Sequence, residues 1–291
     1  MSILMTCKGY YSHAWQNQTQ RSMAVKSPAV QADAKWKDSF RKECQSILKL
    51  KLEHPNVISM YSVKEENGHP YLLMEFAENG NLLDFVKNIP QVQWSTCRPT
   101  LYKMAAEAAA GMAYLQKNKI VHKDLAACHI DVMADNVCKI SDLGLTRNLL
   151  QYSDATQHGA SSPASDANLY TKGNPDGPVR ERWTAPEAFY GPFTSQSDVW
   201  SYGVVLWEML TFGQMIPYAD FETDDWHRFL ITDQRRHLPK PYYCDDEVYS
   251  MMKDMWLIEP SHRPGFAAIR GQLKAKTRQC LQEQEQKYRP F

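Results

Sequence analysis

His122-Lys123-Asp124-Leu125-Ala126-Ala127-Cys128-His129 is followed by Ser141-Asp142-Leu143-Gly144 and, further on, by Trp183-Thr184-Ala185-Pro186-Glu187. These three blocks, in this order, decide the reading of the chain. On their N-terminal side the pattern is β-like around one helix. Ser22–Lys26, Val57–Tyr61 and Tyr71–Glu75 are predicted strands. Between them Phe40, Cys44, Ile47 and Leu48 fall at i, i+4, i+7 and i+8, one face of an amphipathic helix. His54-Pro55-Asn56 is expected to end that helix, because a residue before proline is pushed out of the α region.

From about residue 98 the period becomes helical. Leu101, Met104, Ala105, Ala108, Met112 and Leu115 sit at offsets 0, 3, 4, 7, 11 and 14, an alanine-rich stripe. Asp198–Leu210 is apolar on most sides, which predicts a helix buried inside a large α domain. Phe266 to Lys287 reads as a polar helix. Between Asp142 and Glu187 the Ser/Ala/Gly/Asp-rich stretch Gln151–Gly177 cannot bury enough surface to offset its ordering entropy, so a flexible functional loop is expected there.

Bulk composition narrows the classes. A chain of 291 residues accommodates one large domain or two small lobes. Lys+Arg and Asp+Glu are both 33, so no global attraction to nucleic acid or an anionic membrane is indicated. The seven cysteines are scattered and form no C-x-x-C pair, which argues for reduced thiols rather than a disulfide framework or zinc site. No apolar run reaches the roughly 18 residues of a membrane span, and no secretory pattern opens the chain.

From Lys26 to Pro264 the sequence resembles a protein kinase domain of the tyrosine kinase group, carried by the three opening blocks together with Ala24-Val25-Lys26, Asp198-Val199-Trp200-Ser201 and His262-Arg263-Pro264. The resemblance implies an α+β, bilobal fold. A small β-rich lobe would occupy residues 1–77 and a larger helical lobe 78–270, with an activation loop at 143–184 and a C-terminal helix or tail at 271–291. It implies ATP and Mg²⁺ as cofactors, and a protein substrate or signalling protein as partner, with no nucleic acid. The expected place is cytoplasmic, or the cytoplasmic side of the plasma membrane if the parent is a receptor.

Phosphoryl transfer needs positioning and charge neutralisation more than covalent chemistry. In the resemblance Lys26 holds the α/β-phosphates and Glu43 is the helix carboxylate that pairs with it, Gln45 being the alternative. Met74 guards the back of the adenine pocket, and Glu75 to Ala77 form the hinge. Asp124 is the catalytic base and Asp142 the magnesium ligand. Glu187 and Arg263 correspond to a buried ion pair, and Asp198 to the helix acid that holds the catalytic loop. Tyr170 is the phosphorylation candidate, with Tyr152 second.

Several positions depart from the pattern. His129 stands where kinases place a metal-ligating Asn. Mg²⁺ is a hard cation that takes oxygen, whereas imidazole suits zinc or copper, so His129 is read as having no metal role. Lys123 replaces an Arg and gives a point charge in place of a fork, which loosens docking of a phosphorylated loop. Cys128 replaces a second Arg, one that orients the substrate hydroxyl, and Leu143 for Phe is mild. Cys7-Lys8-Gly9 resembles the end of the strand that follows the glycine-rich loop, which would put that loop upstream of Met1. The expectation is a tyrosine-kinase-like domain that transfers phosphate weakly or not at all and serves as a partner-binding switch. The alternative is an active tyrosine kinase, since Lys26, Asp124 and Asp142 all survive.

Overall fold

Antiparallel pairing builds the small lobe. Strands β1 (Ile3–Thr6), β2 (Gly9–Trp15), β3 (Ser22–Ser27), β4 (Met60–Glu66) and β5 (His69–Glu75) form one sheet in the order β1-β2-β3-β5-β4. The computed structural model describes residues 3–6, 9–15, 22–28, 32, 34–143, 181–189, 191–219 and 237–287. Gly9 opens a strand here rather than closing one. The run Tyr10-Tyr11-Ser12-His13-Ala14-Trp15, rich in strand-favouring aromatics, continues the sheet onto β3.

Helix α1 (Ala34–Lys49) packs on β4 and β5. It buries Cys44 and Ile47, with Phe40 and Leu48 beside them, which is the face the sequence indicates. The helix stops earlier than the Pro55 argument predicts. Leu50 N donates to Ile47 O and Lys51 adopts φ 46, so a left-handed residue closes the last turn before proline can act. Strand β4 likewise starts at Met60, later than expected. Val57 forms an isolated parallel bridge with Ile140, and Ile58 N donates to Ile140 O at 2.9 Å, tying this segment to the larger lobe.

The larger lobe is helical: α2 (Leu82–Lys87), α3 (Trp94–Lys117), α4 (Ser195–Leu210), α5 (Asp246–Met255) and α6 (Phe266–Lys287), with a two-stranded ribbon of β6 (Ile130–Val132) and β7 (Cys138–Ile140). The whole Leu101-to-Leu115 stripe of α3 is buried. The helix begins at Trp94 and takes Pro99 inside it, a residue with no N–H for Ser95 O. Gln284 of α6 supplies the missing donor, its Nε2 lying 2.6 Å from Ser95 O. Helix α6 runs unbroken past residue 270 and buries Leu273 and Cys280. Every residue of α4 from Ser197 to Leu210 is buried, and a Thr194/Ser197 capping box starts it. No described helix is long and apolar enough to cross a membrane.

Gly111 sets the approach of α3 to the segment joining the lobes. A Cβ there would lie 2.2 Å from Asn56 O and 2.7 Å from Ile140 Cγ1, while Asn56 O already accepts Ile140 N at 2.9 Å. Alanine normally favours a helix interior over glycine by about 1 kcal/mol. Gly111→Ala is nevertheless expected to lower stability by roughly 1–3 kcal/mol through overpacking. Urea unfolding reads this directly, and a gain in stability would contradict the packing described.

Candidate active site

Two residues of the site carry left-handed backbone: Lys123 at φ 71 and Asp142 at φ 57. Such conformations cost on the order of 1–3 kcal/mol each outside glycine, so the surroundings must impose them. Asp198 on α4 does so for the first. Its Oδ2 accepts His122 N at 2.8 Å and its Oδ1 accepts Lys123 N at 2.9 Å. Burial pushes the Asp198 carboxyl up to about 7, against the two backbone donors and the field of Lys123. The Lys123 amine is itself pushed down by burial.

His122 links the two acidic turns. Its Nε2 donates to Ser141 O at 2.9 Å and its Nδ1 accepts Asp124 N at 3.3 Å. One donor and one acceptor require a neutral ring, and burial holds it so by pushing the imidazole down to about 4. Glu208, in the last turn of α4, fastens the far side of the loop. Its Oε2 accepts Ala127 N and Trp183 Nε1, each at 2.9 Å.

Lys26, Asp124, His129 and Asp142 then meet in the cleft. Lys26 Nζ forms an ion pair with Asp142 Oδ1. His129 is buried, with Nδ1 2.6 Å from the backbone carbonyl of Asp124 and 3.6 Å from its Oδ2. Its Nε2 lies 3.2 Å from Asp142 Oδ2. Each ring nitrogen therefore faces an acceptor, and both oxygens of Asp142 are engaged. Burial pushes the Lys26 amine down, while the fields of Cys44, Glu43, Asp131 and Asp124 oppose that. Glu43 thus acts on Lys26 from α1.

Along the cleft wall Met74 is buried in β5. Glu75 accepts Ser59 N at 3.1 Å and pairs with Lys139 at 2.6 Å, and Ala77 O accepts Gly80 N as the chain leaves the sheet. Below the cleft, Arg263 is 4% exposed and holds Glu187 through two bonds of 2.6 and 2.8 Å, with the Trp200 ring 5.1 Å from its guanidinium carbon. Tyr152 and Tyr170 lie outside the described residues.

A family model described as protein tyrosine and serine/threonine kinase matches residues 5–273. The chain belongs to the protein kinase superfamily, in its tyrosine kinase group. It is 33% identical to Tyrosine-protein kinase SRK2 of Spongilla lacustris over 91% of this chain and 65% of that protein. It is 38% identical to Ephrin type-B receptor 2 of Gallus gallus, over 75% of this chain and 20% of the receptor. Ephrin type-B receptor 4b of Danio rerio gives the same identity and the same two shares. The chain thus spans less than two thirds of each relative's length.

Kinases of this superfamily work with ATP and Mg²⁺. The donor set of this kinase domain does not fit that ion. Its metal-turn carboxylate is shared between a lysine and an imidazole, and the neighbouring ligand position offers nitrogen where Mg²⁺ takes oxygen. Among the described residues no group of three or more His, Cys, Asp or Glu is arranged to hold a metal.

Three residues of this site carry no role in the sequence reading. His122 stands in the quoted block, but its partners are distant in sequence. Glu208 was legible in principle, as an acid inside an apolar helix that must find donors. Asp131 interrupts the buried residues Ile130 and Val132 of β6, and burial pushes its carboxyl up to about 7.

Asp198→Asn is expected to cost roughly 1–3 kcal/mol, because the amide has one acceptor for two backbone donors. Urea unfolding of the native chain and the variant reads that loss directly, and a variant as stable as the native chain would contradict the assignment.

Proposed function

We propose that this kinase domain acts as a signalling switch that engages a protein partner and transfers phosphate from ATP to tyrosine weakly or not at all. One observation carries the reading: the His129 ring sits between Asp124 and Asp142 while Lys26 takes the other oxygen of Asp142. A metal ion at Asp142 would have to displace a lysine, an imidazole or both.

Within this reading Lys26 would contact the α/β-phosphates, Met74 and Glu75 to Ala77 would line the adenine end, and Glu43 would tune Lys26. Asp124 would be the base toward a hydroxyl, and Asp142, at the family's metal-ligand position, would stay paired with Lys26 and His129. Residues 1–77 and 78–270 would be the two lobes, 143–184 the activation loop and 271–291 the tail. Tyr170, then Tyr152, would be the residues modified in that loop. Two of the similar proteins are named as receptors, so a receptor parent with this domain on the cytoplasmic side of the membrane is part of the proposal. The second reading, an active tyrosine kinase, draws on the convergence of Lys26, Asp124 and Asp142 in one cleft.

Thermal shift with ATP, in the presence and absence of Mg²⁺, separates the two. The native chain is expected to gain little from Mg²⁺, and His129→Asn to raise the Mg²⁺-dependent affinity roughly ten- to a hundredfold. Phosphotyrosine formation by the native chain should stay at the level of Lys26→Met and Asp124→Asn. Robust turnover abolished by either substitution would establish the second reading instead.

A further inference from the structure

A second cavity shares no residue with the cleft site. It has a volume of about 500 Å³ and opens between α3, α6 and the segments at Pro55–Asn56 and Val137. That volume lies within the range of about 300–1,000 Å³ typical of ligand pockets. Its lining is predominantly apolar, with Ala106 and Ala110 of α3 buried and Val137 beside them.

The rim is basic. Arg270, Lys274 and Arg278 line it at successive turns of α6, and Lys103 faces them from α3, all four exposed. Lys103 has a partner in Glu107 at 3.4 Å, and Glu107 also accepts Cys138 N at 3.0 Å. Among the described residues Arg270, Lys274 and Arg278 have no acidic partner, whereas Lys276 of the same helix pairs with Asp245 and Glu247. The chain as a whole has net charge zero, so this concentration of positive charge is local.

We propose that this groove docks an acidic, extended peptide segment of a partner protein, with apolar side chains seated on the alanine floor. The pitch supports the match. Cations four residues apart on a helix are separated by about 6 Å along its axis. Side chains on one face of an extended strand repeat about every 6.6 Å. Acids at alternate positions of a peptide can therefore meet Arg270, Lys274 and Arg278 in turn, while the interleaved residues face the cavity. A lone phosphate would leave the apolar floor uncovered, and a flat membrane surface cannot enter a recess. The proposal stands whether or not the cleft transfers phosphate.

The test is fluorescence anisotropy of the full chain with a labelled peptide containing Glu-Leu-Glu-Leu-Glu. Binding is expected, weakening as salt rises from about 0.05 M to about 0.5 M. The variant Arg270→Ser/Lys274→Ser/Arg278→Ser should bind roughly tenfold more weakly, as three exposed ion pairs would give. Its thermal midpoint should match the native chain, since all three side chains are exposed. Replacing the peptide leucines with serine should also weaken binding. Equal affinity of native and variant chains, or no binding at about 1 mM peptide, would overturn the proposal. So would variant-sensitive binding to phosphatidylserine vesicles without binding to the peptide, which would assign the patch to a lipid surface.

Discussion

A buried carboxylate reading two consecutive backbone amides is the constraint on which the lower half of the cleft depends. Asp198 accepts the N–H groups of His122 and Lys123, and in doing so holds Lys123 at φ 71. Hydrogen bonds contribute roughly 0.5–1.5 kcal/mol each, so the two together offset the backbone cost of one left-handed residue. Because Asp198 lies on a helix buried on every side, its position is rigid. His122 passes that position on to the turn at Ser141, and Glu208 fixes the opposite end of the loop at Ala127. The Arg263–Glu187 pair secures the segment beneath them.

The scaffold side chains Asp198, His122 and Glu208 are distinct from the reacting groups they present, and His129 joins them through its backbone, its carbonyl accepting Ser141 N at 3.0 Å. The scaffold therefore persists where the ligand set has changed, and its presence argues for the fold and not for turnover. At position 129 both imidazole nitrogens face acceptors, whereas an amide there would offer its oxygen to a metal and its NH₂ to the loop. The Asp142 carboxylate is engaged by Lys26 and His129, which leaves an incoming cation to compete against groups already in place.

Much of the fold was legible because long periodic segments leave few alternatives. The α3 stripe, the buried α4 run and the α1 face all rest on spacing alone. Element ends were less legible, since they depend on single residues: Lys51 turning left-handed ended α1 before Pro55, and Pro99 was carried inside α3 because Gln284, far along the chain, satisfies Ser95 O. The family resemblance named residues for the cleft, but not how they pair. Whether Lys26 turns toward Glu43 or Asp142, and where the His129 ring points, are matters of rotamer and of contacts between distant segments. Asp131 went unread because one polar residue in a short apolar strand carries little signal.

The central claim is that His129 and Lys26 occupy the place a metal ion would need. Crystals grown with ATP and Mn²⁺, whose anomalous scattering reports the metal directly, test it most simply. The account predicts no metal at coordination distance from Asp142, with the His129 ring still bridging Asp124 and Asp142. A manganese ion bound to an Asp142 oxygen, with His129 rotated away, would contradict it.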